Sequence, residues 1–166
     1  MAITFREAVA EVELGLVSTD QLPDVATTGL LEGYQSPSLA AVAGQFGEPC
    51  DPVEMDRLWS RALQELKMTL EDRRAAGRIV VRAYARLVVE GELPAPLGAS
   101  KIAGVHRIVA RPGCDRQSPG DCLDAEDVLA LFTAAERRGY LQGRERARLD
   151  VAVVEACRRL ASLPIA

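Results

Sequence analysis

Residues 51–66, DPVEMDRLWSRALQEL, decide the fold class of this chain. Asp51 belongs to the residue types that cap helices, and Pro52 follows it at the first helical position, where a missing N–H costs nothing. Met55, Leu58, Trp59, Ala62, Leu63 and Leu66 then recur at steps of three and four, which puts them on one face of a 3.6-residue helix. A half-buried strand would alternate apolar and polar residues at every second position, and this stretch does not. The pattern predicts a helix lying on a core, with Trp59 turned inward.

The same signals repeat in both directions along the sequence. Upstream, Ser36 and Pro37 open a short helix that Gly44 stops, and LPDVATTGLLEG, residues 22–33, reads as another that closes at Gly33. At the start, Thr4 to Glu7 spells a Thr-x-x-Glu capping box ahead of Phe5, Ala8, Val9, Val12 and Leu16, a helix of about three turns. Downstream, Thr69 is expected to cap a long helix reaching Glu90, with Ala76, Ile79, Val80, Ala83, Tyr84, Leu87 and Val88 as its stripe and Gly91 as its stop. Residues 93–110 supply a further helix with Ile102, Val105 and Val109 inward. Asp124 is expected to cap residues 125–139, and a last helix turns Leu149, Val153, Ala156, Cys157 and Leu160 inward. Short apolar runs such as RIVV at 78–81 lie inside longer windows of helical period, so no strand is expected. The reading is an all-α chain, one compact domain over residues 1–166 with about seven or eight helices.

Composition fits that reading. The chain has 166 residues and 48% hydrophobic content, enough for one substantial core, and only 4% aromatics. Its 18 Arg against 2 Lys match the codon usage of a GC-rich bacterial genome rather than selection for phosphate binding. Residues 1–15 lack a positive segment ahead of an apolar one, and no apolar run approaches 18 residues, so the expectation is a cytoplasmic protein with neither signal peptide nor membrane span. In that compartment thiols stay reduced, and Cys50, Cys114, Cys122 and Cys157 do not by themselves imply disulfides. Charge is uneven: residues 1–60 hold 10 acidic and 2 basic side chains, residues 61–166 hold 14 and 18. Either the acidic third docks on the basic remainder, or both are solvated, or one face of single sign binds a partner.

Within residues 22–44, the pattern of Leu22, Pro23, Val25, Ala26, Leu30, Gly33, Tyr34, Ser36, Pro37, Leu39 and Gly44 resembles a segment of small, uncharacterised all-helical proteins of bacteria, a domain of unknown function. VVEGELPAPLGASKI, residues 88–102, is similar to the same kind of protein. The two stretches cover under a quarter of the chain and consist mostly of caps and core positions. The resemblance implies a helical fold and carries no activity.

Candidate sites are few. RPGCDRQSPGDCLD, residues 111–124, places seven residues between Cys114 and Cys122, where structural zinc knuckles have two or four. The lone histidine, His106, lies on a helix upstream, so a zinc site would need it with both cysteines and Asp115 or Asp121. A redox pair of Cys114 and Cys122 is the second reading, ordinary loop thiols the third. Arg74, Arg78, Arg82 and Arg86 step by four along the long helix, a row that grips phosphates or an acidic protein, or else pairs with Glu71, Glu90 or the acidic N-terminal helix. Nucleic acid is disfavoured by an isoelectric point near 5.1 and the absence of recognisable binding motifs. Phosphate-loop, dinucleotide, zinc-protease and nucleophile-elbow signatures are missing, as are the paired Glu-x-x-His motifs of di-iron bundles. The expectation is a non-enzymatic protein without metal or cofactor that binds another protein, in the style of an immunity protein or antitoxin. The alternatives are a binder of nucleic acid or a phosphate-bearing ligand through the arginine row, and a helical protein with a small-molecule pocket.

Overall fold

A computed structural model describes residues 3–45, 51–68, 72–109, 123–137 and 144–163. Eight α-helices and one 3-10 turn account for their regular structure, with no strand among the described residues, so the fold is all-α. The chain divides into two compact units between Ala76 and Gly77, inside the fifth helix.

The first unit holds α1 (Phe5–Glu13), a 3-10 turn (Thr19–Gln21), α2 (Leu22–Leu31), α3 (Pro37–Ala43) and α4 (Pro52–Glu65). Its helices pack in sequence, α1 on α2, α2 on α3 and α3 on α4. Local chemistry sets the helix starts. Thr4 accepts from the Glu7 N–H while the Glu7 carboxylate accepts from the Thr4 N–H at 2.8 Å, a complete capping box. Ser36 accepts from the Leu39 N–H at 3.0 Å and Asp51 from the Val53 N–H at 3.0 Å, both followed by proline. At the end of α4 the Met68 N–H reaches the Leu63 carbonyl and the Lys67 N–H the Gln64 carbonyl, the two bonds of a Schellman motif, with Lys67 at φ 54 in the position that favours glycine.

The core of this unit is built on aromatics. Phe5 is fully buried, with Tyr34 at 4.8 Å and Trp59 at 6.2 Å between ring centroids, the latter edge-to-face. Trp59 is buried as its spacing predicts, among Val9, Leu22, Ala26, Leu39, Val42, Met55 and Ala62. Gly29 lets α2 approach the Phe5 ring: a Cβ there would stand 2.7 Å from the ring edge. One expectation is corrected. Leu16 does not continue the apolar face of α1, because the helix ends at Glu13 and Gly15 turns the chain at φ 72; Leu14 fills the core and Leu16 is exposed.

The second unit holds most of α5 (Arg73–Val89), then α6 (Ala95–Val109), α7 (Glu126–Arg137) and α8 (Arg144–Ser162). Here α6, α7 and α8 pack against one another, and a Cβ on Gly98 of α6 would overlap Val88 of α5. The buried residues are aliphatic and small, among them Val80, Val81, Ala85, Ile102, Val105, Val128, Val153, Ala156, Cys157 and Leu160, with Tyr84 as the buried aromatic among the described residues. Two expected caps are corrected. Asp72, not Thr69, starts α5, accepting from the Ala75 N–H at 2.7 Å; Thr69 lies outside the described residues. Asp124 does not cap α7, which begins at Glu126; at φ 55 its carboxylate turns to an arginine instead.

Candidate functional site

The arginine row does not form one exposed ridge. Four residues advance 400° around a helix, so each step of the row drifts about 40°, and the row passes from solvent at Arg74 across the buried side at Arg82 to a half-buried position at Arg86. Arg74 is exposed and Arg78 half-buried, Arg82 is 9% exposed, and Arg86 is half-buried with its guanidinium 3.1 Å from Glu90. Arg82 places Nη2 3.6 Å from Asp124 Oδ2, while its Nε and Nη1 are buried with no hydrogen-bond acceptor among the described residues. A guanidinium in this state is costly, since each unsatisfied buried donor forfeits its hydration. Nothing in the sequence joined Arg82 to Asp124, because the two are 42 positions apart and the aspartate reads as a cap.

A second polar cluster lies in the first unit and is fully satisfied. The Glu65 carboxylate, at the end of α4, accepts from Ser36 Oγ at 2.6 Å, Ser38 Oγ at 2.8 Å, the Ser38 N–H at 3.1 Å and Arg61 Nε at 3.0 Å. The Ser36 hydroxyl, then the Ser38 N–H and hydroxyl, hold its pKa down from the ordinary 4.5 to about 2, against the opposing effect of desolvation. Glu65 thereby sits at the N-terminus of α3, where a negative charge is favoured, and ties α4 to α3. With every acceptor lone pair engaged, the cluster acts as a clamp and offers no free base.

The α7 and α8 helices leave an open cleft of about 360 Å³, lined by Asp127, Ala130, Leu131, Ala152, Glu155 and Arg159. Its charged groups are already paired: Arg159 donates to Asp127 at 2.9 Å, and Glu155 pairs with Arg158, which is not part of the lining. A ligand site needs convergent polar groups that are free to bind, and this cleft has its polar groups already paired.

The remaining sequence candidates are dispersed. Cys114 and Cys122, with Asp115, Asp121, Cys50 and Glu71, lie outside the described residues. His106 is half-buried on α6, and among the described residues no group of three or more His, Cys, Asp or Glu side chains could hold a metal ion. Cys157 is fully buried, and burial pushes its thiol up to about 11, so it packs as a small hydrophobe.

What the sequence offered, and a reading by motifs passes over, is an absence. Residues 7–56 contain no Lys, Arg or His and ten Asp or Glu. They form α1, α2 and α3 and the start of α4, and Glu13, Asp20, Asp24, Glu32, Asp51, Glu54 and Asp56 are exposed. Among these acids stand apolar side chains left in water: Leu31 is 84% exposed at the end of α2, beside Leu30 at 36%. The first unit as a whole carries 13 acidic and 6 basic residues, the second 11 and 14.

No family model, curated protein or solved structure matches the chain. The fold thus defines it as an all-α protein, and among the described residues no helix is long and apolar enough to cross a membrane.

Proposed function

We propose that this chain is a non-enzymatic, cytoplasmic helical protein of bacterial type that works by binding another protein, in the manner of an immunity protein or antitoxin. The observation that carries the reading is the cation-free run of residues 7–56 with Leu31 exposed in it. Leaving a leucine in water forgoes roughly 25 cal/mol for each Å² of apolar surface that burial would cover. A partner that covers it recovers this, and an unneutralised acidic field speeds the encounter with a basic surface.

The test is to capture partners on the immobilised protein from bacterial lysate, identify them, and rebuild the complex from purified components. The reading expects a stoichiometric complex that weakens as salt rises. If no protein forms such a complex and the chain instead is retained on heparin in a manner lost in Arg74→Ala and Arg78→Ala, the phosphate or nucleic-acid alternative takes its place. The arginine row supports that alternative less well, since Arg82 is buried and Arg86 is engaged with Glu90. A small molecule copurifying with the chain would favour a ligand-binding role, for which the α7–α8 cleft is one candidate cavity.

A further inference from the structure

Resting on the protein-binding reading, we propose that the α1–α2 face of the first unit takes a cationic amphipathic segment, which sets an apolar side chain on Leu31 and its Lys or Arg side chains against the acids at the opposite end of α2. The face has a polarity that the chain itself establishes. The Phe5 N–H donates to the Glu32 carboxylate at 2.9 Å, which brings the start of α1 to the end of α2 and makes the two helices antiparallel neighbours. Glu13, Asp20 and Asp24 therefore gather at one end of the pair, and Leu30 and Leu31 lie at the other.

Asp24 and Leu31 are seven residues apart, two turns, so they share one side of α2 with Thr28 between them, about 10 Å from charge to leucine. Glu13, Asp20 and Asp24 are exposed and have no ion-pair partner among the described residues. Arg6, the cation that bounds the run, is exposed in the first turn of α1, at the leucine end, and does not offset them. A partner helix with Lys or Arg two turns from a bulky apolar residue matches this spacing. A second copy of the chain does not: two-fold pairing about Leu31 would cover the leucine but leave the acids of both copies unneutralised. The patch is small beside the roughly 800 Å² per side of a stable interface, so the contact it makes alone is a peptide-like one.

The experiment uses the full chain and three synthetic helical peptides of about 18 residues: one of Lys and Leu in amphipathic register, one with the same Lys positions and Ser for Leu, and one of Glu and Leu. Titration calorimetry at low salt should show binding of the Lys/Leu peptide alone, weakened about tenfold or more by Leu31→Ser, by the pair Asp20→Asn with Asp24→Asn, and by added salt. Circular dichroism should show both variants folded as the parent, since the substituted side chains are exposed. Equal binding of the Lys/Ser peptide, or no effect of Leu31→Ser, would overturn the proposal. So would a dimer in sedimentation that Leu31→Ser dissolves, which would give the leucines to a second copy. A reconstituted partner complex that Leu31→Ser and the Asp pair leave intact would remove this surface while protein binding stands; failure to find any partner removes the broader reading.

Discussion

The two units provide for a charged side chain in opposite ways. In the first, a carboxylate is met by two serine hydroxyls, a backbone N–H and an arginine, so that Glu65 has a donor for each acceptor position. In the second, Arg82 enters the core with Asp124 at 3.6 Å and with its Nε and Nη1 lacking an acceptor among the described residues. The first arrangement adds stability, because ionised acceptors bound by several donors keep what they lose in hydration. The second subtracts from it, because a buried ion pair recovers its desolvation only with good geometry and full hydrogen bonding. The difference extends to the hydrophobic groups: a Phe5–Tyr34–Trp59 cluster centres the first core, while Val, Ile and Ala dominate the second.

The largest expected effect tests the aromatic centre. Trp59→Ala should cost about 3–5 kcal/mol in a denaturant titration, since a buried, rigidly surrounded ring leaves a cavity that neighbours fill poorly. A loss under about 0.5 kcal/mol would mean that the ring carries none of the core.

Next comes the contrast at Arg82. Arg82→Met keeps the aliphatic stem and removes the two unmatched donors, each costing about 1–3 kcal/mol, so the variant should melt at the parent temperature or above it. Asp124→Ala should melt lower and lose about 1–2 kcal/mol of stability, because it strips a buried cation of its counter-charge; its half-exposed carboxylate keeps the loss below that of a fully buried pair. Destabilisation by Arg82→Met would show that the guanidinium finds acceptors and would erase the contrast between the units.

The clamp in the first unit makes a pH-dependent prediction. The folded pKa of Glu65, about 2, lies below its ordinary 4.5, so its contribution is present above pH 4.5 and is lost as pH falls through that interval to 2. Ser36→Ala removes a cap and a donor to Glu65 together, and should cost about 1–2 kcal/mol at neutral pH. The gap between parent and variant should narrow on acidification from pH 4.5 to 2, read by thermal melts at each pH; a constant gap would leave the cap alone responsible.

The smallest effect concerns Lys67. Glycine at this φ 54 position relieves left-handed strain but frees the unfolded chain, so Lys67→Gly should stabilise by less than about 1 kcal/mol, read as a small rise in the denaturant midpoint.

The sequence by itself determined the helices of this protein and most of their ends, because caps, proline at the first position and glycine after the last turn act over four or five residues. Thr4 with Glu7, Ser36 with Pro37, Asp51 with Pro52, Gly33 and Gly91 all stand where local chemistry puts them, and the inward faces of α4 and α8 follow from period alone. It also carried the charge layout of residues 7–56, which needs no fold to be counted. Only the tertiary structure decided which polar groups meet: Glu65 with Ser36 and Ser38, Arg82 with Asp124, Phe5 with Glu32. These partners lie 27 to 42 positions apart, and no local rule links them. It decided too that the arginine row winds inward and that Leu31 stays outside, since a helix repeats its chemistry every turn but only its neighbours fix which side meets water.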